Sequence, residues 1–484
     1  MTGVVSSVAL GVTSIGANVL LLPIVVLSVG AAEYGVWLFL VSLITYGAYA
    51  DLGTGTALSH FLANERGGLS PQSSRRWVPA ASTISCLAFI AAALAFVPLS
   101  ALFIQGSSAD PALLIPVAIG LTSVLFKPAS AILQGAGHYV LDRNLGLVAV
   151  VLRAGGTLTV CLVWPTIFAV ALVEAIAIAL PGLLAVPFAI RALRKRARTA
   201  KESMRERAGD LLSYGVRSLS VSLLGVTILQ GGTIFLGIFG NPTAVTWWNA
   251  SFRIYTACRQ ASTWVIAPFL PALTRLMATD ATQAMKVVKA VTIAAVTATG
   301  VVVGATVPIA QELATVWLGP EAPVELISGV LCVLLIGLTL NTFHVPMTLA
   351  GDAVGRPGVF FGPQLAWLFG YAALAYPFYA AWGIVGLALA LSAPLPVVEL
   401  LYVLRASQAL GIRARDWWAD VVRPSIILFS PAIAVTSLIE LTLGTRVSDL
   451  MLSGLFCLSL FLTAWLRKHA IPFDDLKVAL RAEL

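Results

Sequence analysis

Residues 141–190 read LDRNLGLVAVVLRAGGTLTVCLVWPTIFAVALVEAIAIALPGLLAVPFAI, and they decide the fold. Two apolar runs, 141–163 and 166–190, flank a Trp-Pro turn. Each is longer than the roughly 20 residues needed to cross about 30 Å of hydrocarbon. Inside lipid a segment must satisfy its own peptide groups, so both runs are predicted as membrane-spanning helices. Beyond Asp142 and Arg143 at the very start of the first, each holds one charged residue well inside it, Arg153 in the first and Glu174 in the second. The apolar majority dictates the architecture; the two charged exceptions raise the question of function.

The pattern extends over the whole chain. Of 484 residues 59% are hydrophobic and only 11% charged, against roughly 45–50% and about 25% in soluble proteins. Mean hydropathy is +0.93. This excludes a cytosolic enzyme, a disulfide scaffold and a disordered interaction protein. Apolar residues suffice for roughly fourteen spans of about 20 residues. They fall at 4–28, 34–63, 78–104, 112–136, 141–163, 166–190, 213–239, 246–273, 286–310, 325–350, 358–379, 382–404, 424–443 and 448–466. The expected class is an all-α polytopic membrane protein. Residues 1–190 form an N-terminal lobe of six spans, 191–212 a basic cytoplasmic linker and 213–404 a C-terminal lobe of six. Residues 405–484 hold an interfacial segment, two further spans and a cytoplasmic tail. A repeat of LGVT at 10–13 and 224–227 accords with an internal duplication, and so with two lobes related by pseudo-two-fold symmetry.

The net charge of +8 invites a nucleic-acid partner, but position argues against one. Of the 30 Lys and Arg residues, 24 lie in connectors on the N-terminal side, Arg446 alone lies on the other, and five lie inside spans. Basic connectors stay in the cytoplasm, so both termini are expected there. The linker RALRKRARTAKESMRERAGDLL (191–212) is either a solvated connector or an amphipathic helix drawn to anionic headgroups. RASQALGIRARDWWADVVRP (405–424) reads similarly, with Trp417 and Trp418 as interfacial anchors. The five cysteines lie in apolar runs without ligand spacing and read as packing residues. No metal and no cofactor is expected. The first basic residue is Arg66, so no cleaved signal peptide is expected.

Charges within spans are costly unless they face a bundle interior or water. The basic ones are Lys127, Arg153, Arg217, Arg253 and Arg259; the acidic ones are Asp51, Glu174 and Glu399. The surplus is positive, which suggests that an anion completes the balance. Asn249, Arg253, Thr256, Gln260 and Thr263 are spaced as one polar helical stripe, with Arg259 at its border. The stripe serves either hydrogen bonding between helices or contact with a ligand. Arg253 and Arg259 suit phosphate because guanidinium stays charged and binds it in bidentate fashion. Lys127 and Arg153 either line a cavity or pair with Glu174 or Asp51. Arg217 lies close enough to the cytoplasmic boundary to snorkel. Glu399 fits a structural role. His60 and His344 read either as proton relays or as hydrogen-bonded packing residues.

Several stretches resemble one family. The EYG turn (33–35), the run Asp51, Leu52, Gly53, Gly55 and the following Phe61 carry the first likeness. LLSYGVRSLSVSLLGVTILQGGTIFLGIFG (211–240), APFLPALTRLMA (267–278) and YAAWGIVGLALALSAPLPVVELLYVLR (379–405) carry the rest. Together these resemble polysaccharide transporters, the Wzx-type O-antigen or teichoic-acid flippases of the multidrug/oligosaccharidyl-lipid/polysaccharide (MOP) superfamily. The resemblance implies two six-helix lobes around a central cavity, with two helices appended. It implies a bacterial cytoplasmic-membrane protein, not an enzyme, that moves a polyprenyl-pyrophosphate-linked oligosaccharide from the inner to the outer leaflet by alternating access. The expected cation site comprises Arg253, Arg259, Lys127, Arg153 and Arg217, with Asn249, Thr256, Gln260 and Thr263 lining it. Asp51, His60 and Glu174 are candidates for coupling or ion pairing. Membrane lipids and a polysaccharide polymerase or glycosyltransferases are the other expected partners. Span 1 carries no charge, unlike the lipid II flippases of the superfamily, so lipid II is the less expected cargo. A multidrug antiporter of the same fold, a membrane polysaccharide polymerase or ligase, and an envelope-assembly scaffold are the rival readings.

Overall fold

The computed structural model describes residues 2–66, 74–107, 109–194, 204–266, 269, 273, 276–277, 279–353, 357–411, 413–443 and 448–466. Among them there is no strand. Part of the basic linker (195–203), most of the stretch 267–278 and the tail 467–484 lie outside the described residues. The chain divides into two compact units, Met1–Asn249 and Ala250–Leu484.

The first unit begins with α1 (Thr2–Val29), α2 (Ala31–Ala48), α3 (Thr54–Arg66), α4 (Ser74–Ser107) and α5 (Leu114–Leu121). It continues with α6 (Ser123–Gly135), α7 (Tyr139–Val163), α8 (Ile167–Arg194), α9 (Met204–Phe239) and the start of α10 (Pro242–Ile266). The stretch 141–190 is the helical pair α7 and α8, turned at Trp164-Pro165 as predicted. α7 packs against α1 and α8, and α6 against α8 and α3. Small residues permit these approaches: Ala57, Ala80, Ala81, Ala131 and Ala185 are buried in one cluster with Leu58, Leu133 and Trp77. Large apolar side chains such as Leu94 and Leu162 point outward, as lipid-facing residues should.

The reading of 34–63 as one continuous span needs correction. The helix breaks after Ala48 into a short 3-10 turn, Tyr49–Asp51. Leu52 is left-handed (φ 52°, ψ 32°) and Gly53 follows at φ 72°. Gly53 lies against Gly215 of α9, where an added Cβ would stand 2.5 Å from the Gly215 carbonyl oxygen. Only glycine fits both the dihedral and the approach. The break coincides with a drop in hydropathy, from the strongly apolar α2 to the mixed sequence TGTALSHFLANER of α3.

The second unit holds α11 (Ala281–Thr306), α12 (Ala310–Leu318), α13 (Val324–Asn341), α14 (Val345–Ala353) and α15 (Phe361–Ser392). After these come α16 (Leu395–Leu410), α17 (Ala414–Trp417), a π-helical turn (Trp418–Val422), α18 (Arg423–Leu443) and α19 (Asp449–Leu466). α15 is not one rod. Its backbone leaves helical geometry at Trp382 and at Gly383 (φ 59°, ψ −140°), the latter a region essentially reserved for glycine. The chain reverses there, and Trp367 Nε1 donates to the Leu391 carbonyl at 2.9 Å across the resulting hairpin. The predicted spans 358–379 and 382–404 are its two arms. Trp417 and Trp418 do not anchor together: Trp417 is buried and Trp418 is exposed. Neighbours on a helix point about 100° apart, so one indole faces the protein and the other faces away.

Among the described residues ten segments are long and apolar enough to cross a membrane, and one of them, Gly358–Ala409, holds both arms of the hairpin.

Candidate functional site

The broken helix opens a polar cavity in the first unit. Breaking a helix orphans carbonyl groups at the end of α2 and N–H groups at the start of α3. Two side chains answer both needs. The Asp51 carboxylate accepts from the Gly53 N–H at 3.4 Å and from the Gly55 N–H at 3.2 Å, capping α3 with negative charge. Lys127 of α6 donates to the Ala48 carbonyl at the end of α2 and bonds Asp51 Oδ1 at 3.0 Å. Its ammonium also lies 5.3 Å from the Tyr49 ring centroid. The pair thus staples an interruption that lipid would otherwise penalise.

Beside the staple lies a cavity of about 500 Å³. Tyr49, Asp51, Gly55, Thr56 and Ser59 line it from the broken helix, and Ser123, Lys127, Ser130 and Gln134 from α6. Ile178, Pro181 and Gly182 of α8 and Leu219 of α9 close the walls. The Ser123 hydroxyl is buried there without a hydrogen-bond partner among the described residues. Gln134 donates its amide N–H to Asp142 at 2.9 Å.

The other predicted residues are distributed as follows. Arg153 sits near the middle of α7 and donates from Nη2 to Asn18 Oδ1 of α1 at 2.5 Å. It forms no ion pair among the described residues, and its Nε is buried without a partner. Glu174 is buried on α8 and accepts from Trp37 Nε1 of α2 at 2.7 Å. It pairs with neither Lys127 nor Arg153. His60 is exposed, edge-on to Phe61 at 5.8 Å. The side chain of Arg217 lies outside the described residues.

The polar stripe of α10 spans the boundary of the two units. Asn249 ends the first unit and donates to Thr233 Oγ1 at 3.2 Å and to the Val245 carbonyl at 2.8 Å. Arg253, Thr256, Arg259 and Gln260 are half-buried in the second unit and Thr263 is exposed. The Thr256 hydroxyl returns to the Phe252 and Arg253 carbonyls, and that of Thr263 to the Arg259 carbonyl. Such back-bonding satisfies a threonine within its own helix. Arg259 acts electrostatically on Tyr255 and Tyr402 and forms no ion pair among the described residues.

Two groupings escaped the sequence reading. Ser123, Lys127, Ser130 and Gln134 are spaced 4, 3 and 4, the same one-face signature that singled out α10. In the second unit His344 Nδ1 lies 2.5 Å from Glu399 Oε1, and its ring stacks on Tyr402 at 3.8 Å between centroids. His344 and Glu399 are both candidates from the sequence. Their sequence separation hides the pairing.

No protein-family profile matches the chain, and no curated protein does. Solved structures do. A structure described as lipid II flippase MurJ, inward closed conformation, superposes with a TM-score of 0.72 at 12% identity, covering 96% of this chain and 99% of that one. An inward-facing multidrug resistance MATE family transporter of the MOP superfamily gives 0.57 at 16% identity, over 83% and 94% of the two chains. The eukaryotic MATE transporter AtDTX14 gives 0.57 at 14%, over 88% and 99%. At these identities the likeness concerns the fold. The chain has the all-helical architecture of MOP-superfamily transporters and is a multi-pass membrane protein.

Proposed function

We propose that this protein is a flippase for a polyprenyl-pyrophosphate-linked oligosaccharide, carrying it from the inner to the outer leaflet of a bacterial cytoplasmic membrane by alternating access. In this reading the two arms of the α15–α16 hairpin, the shorter α9 and α19 segments and α10 bring the crossings to fourteen. The lobes are 1–190 and 213–404, and both termini are cytoplasmic.

One observation carries the reading. Two guanidinium groups within helices of an apolar chain, Arg153 and Arg259, meet no carboxylate among the described residues. Burying an uncompensated cation costs several kcal/mol in lipid, and an anionic cargo repays it during transport. A lipid-linked glycan supplies the anion as diphosphate and brings sugars to a polar cavity. Moving about two negative charges outward is downhill by roughly 2.3 kcal/mol per charge per 100 mV. Polysaccharide polymerase or glycosyltransferases would act before and after this step.

A second reading, exchange of cationic drugs, has one observation in its favour: Glu174 is a buried carboxylate with an indole as its partner and no cation among the described residues. The deciding experiment reconstitutes the full chain in vesicles and follows the lipid-linked sugar by leaflet-resolved labelling. Transfer lost in Arg153→Gln plus Arg259→Gln supports the flippase. Unchanged transfer in that variant, or drug efflux without glycan transfer, overturns it.

A further inference from the structure

We infer that the cavity of the first unit is a subsite for uncharged sugar rings, while the phosphate groups of the cargo are held elsewhere on guanidinium. The inference rests on the flippase reading for the identity of the cargo. The chemistry of the cavity itself says which part of the cargo binds here.

Lys127 is the cation among the described lining residues, and it is occupied. Asp51 holds it at 3.0 Å and the Ala48 carbonyl accepts a second bond. The lining is therefore neutral overall, and a diphosphate entering it would meet a buried carboxylate beside the ammonium. Attraction and repulsion nearly cancel. A cationic ligand fares no better, because the Asp51 oxygens already serve two backbone N–H groups and the lysine.

What remains suits a polyol. The Ser123 and Ser130 hydroxyls and the Gln134 amide project from one face of α6, opposite Thr56 and Ser59 of α3. Hydroxyl and amide groups both donate and accept, as sugar hydroxyls do. The Ser123 Oγ is buried with no hydrogen-bond partner, and none is present for Ser130 among the described residues. Ser130 lines the cavity with its hydroxyl open to a ligand, whereas the Ser123 Oγ lies beneath the lining. Tyr49 adds an aromatic ring to the lining, a group on which the C–H face of a sugar ring packs well. A volume of about 500 Å³ lies within the range of about 300–1,000 Å³ usual for small-molecule sites.

The test uses the full chain in lipid nanodiscs, with N-acetylglucosamine and galactose as neutral probes and inorganic pyrophosphate as the anionic one. Saturation-transfer NMR reads the sugars, and ³¹P line broadening reads pyrophosphate. Ser130→Leu plus Gln134→Leu removes two polar partners and fills the void. The milder Ser130→Ala serves as a second variant, and thermal unfolding verifies that each is folded. At about 0.5–1.5 kcal/mol per hydrogen bond, the expected loss of sugar signal is about fivefold or more in the double variant, with pyrophosphate broadening unchanged. Absence of sugar transfer to the folded wild type overturns the inference, as does pyrophosphate binding that depends on Ser130 and Gln134. Sugar binding without leaflet transfer of the lipid-linked glycan refutes the flippase reading alone. Transfer that persists undiminished in the double variant refutes the subsite alone.

Discussion

Substituting Asp51 by asparagine separates its two roles. Asparagine still caps the Gly53 and Gly55 N–H groups, since its amide oxygen accepts as a carboxylate does. It removes the charge that faces Lys127 at 3.0 Å. Breaking a buried pair by deleting one partner costs about 3–5 kcal/mol. The side chain of Asp51 is 3% exposed but that of Lys127 is 33% exposed, so water recovers part of this and about 2 kcal/mol remains. A unit the size of Met1–Asn249 shifts by roughly 2–4 °C per kcal/mol, so the midpoint should fall by about 4–8 °C. Lys127→Met should cost a similar amount, because Asp51 is then the stranded charge. The double variant should be less destabilised than the sum, with a coupling of about 1 kcal/mol or more. Thermal unfolding of the full chain in detergent, followed by tryptophan fluorescence, measures all four proteins. Strict additivity, or an Asp51→Asn midpoint within 1 °C of wild type, would refute the staple.

Four further outcomes follow from the same geometry. Gly215→Ala places a Cβ 2.5 Å from the Leu52 carbonyl oxygen and should lower stability by about 1–3 kcal/mol, checked by the same melts; a neutral result would mean that α9 can withdraw freely. Trp37→Phe leaves Glu174 without its donor and should cost about 1–3 kcal/mol, whereas Trp37→Phe combined with Glu174→Leu should restore part of the loss. His344→Ala strands Glu399 and removes the stacking on Tyr402, and should destabilise more than Glu399→Gln does, again read by melting. At the α12–α19 contact, a hydrogen bond and repulsion from Asp449 raise the pKa of Glu312. The protonated form is then favoured on folding, so its contribution is present below the ordinary carboxylate range and fades as pH rises through the raised value. Melting between pH 4 and pH 7.5 should show this dependence reduced in Asp449→Asn.

The candidate site was legible only in part. Lys127 and Asp51 both stood out as charges within apolar runs, because ions in lipid are costly wherever they fall. That they meet was one open alternative among several: they are 76 residues apart, and no local rule chooses Asp51 over Glu174 as the partner. Lys127 reads from sequence as lining a cavity or pairing with Asp51 or Glu174; in the fold it lines the cavity while paired with Asp51, and its bond to the Ala48 carbonyl is visible only there. The serines and glutamine of α6 were overlooked because serine passes as a small packing residue in a span. Their common face was written in the 4-3-4 spacing all the same. In α10 the same spacing was noticed, but the threonine hydroxyls turn back to their own carbonyls.

From composition and periodicity alone, the chain had to be a bundle of lipid-embedded helices, because apolar length and the demand for internal hydrogen bonding admit no other solution. The hairpin at Trp382-Gly383 and the break at Leu52-Gly53 also carry local signals, in glycine and in the run around Asp51. Tertiary structure decided what each buried charge does. Charge in a low-dielectric interior is governed by its nearest partner, and partners are chosen by packing between helices far apart in the chain. Arg153 beside an amide, Glu174 beside an indole and Lys127 beside a carboxylate are similar exceptions in sequence and three different electrostatic situations in space.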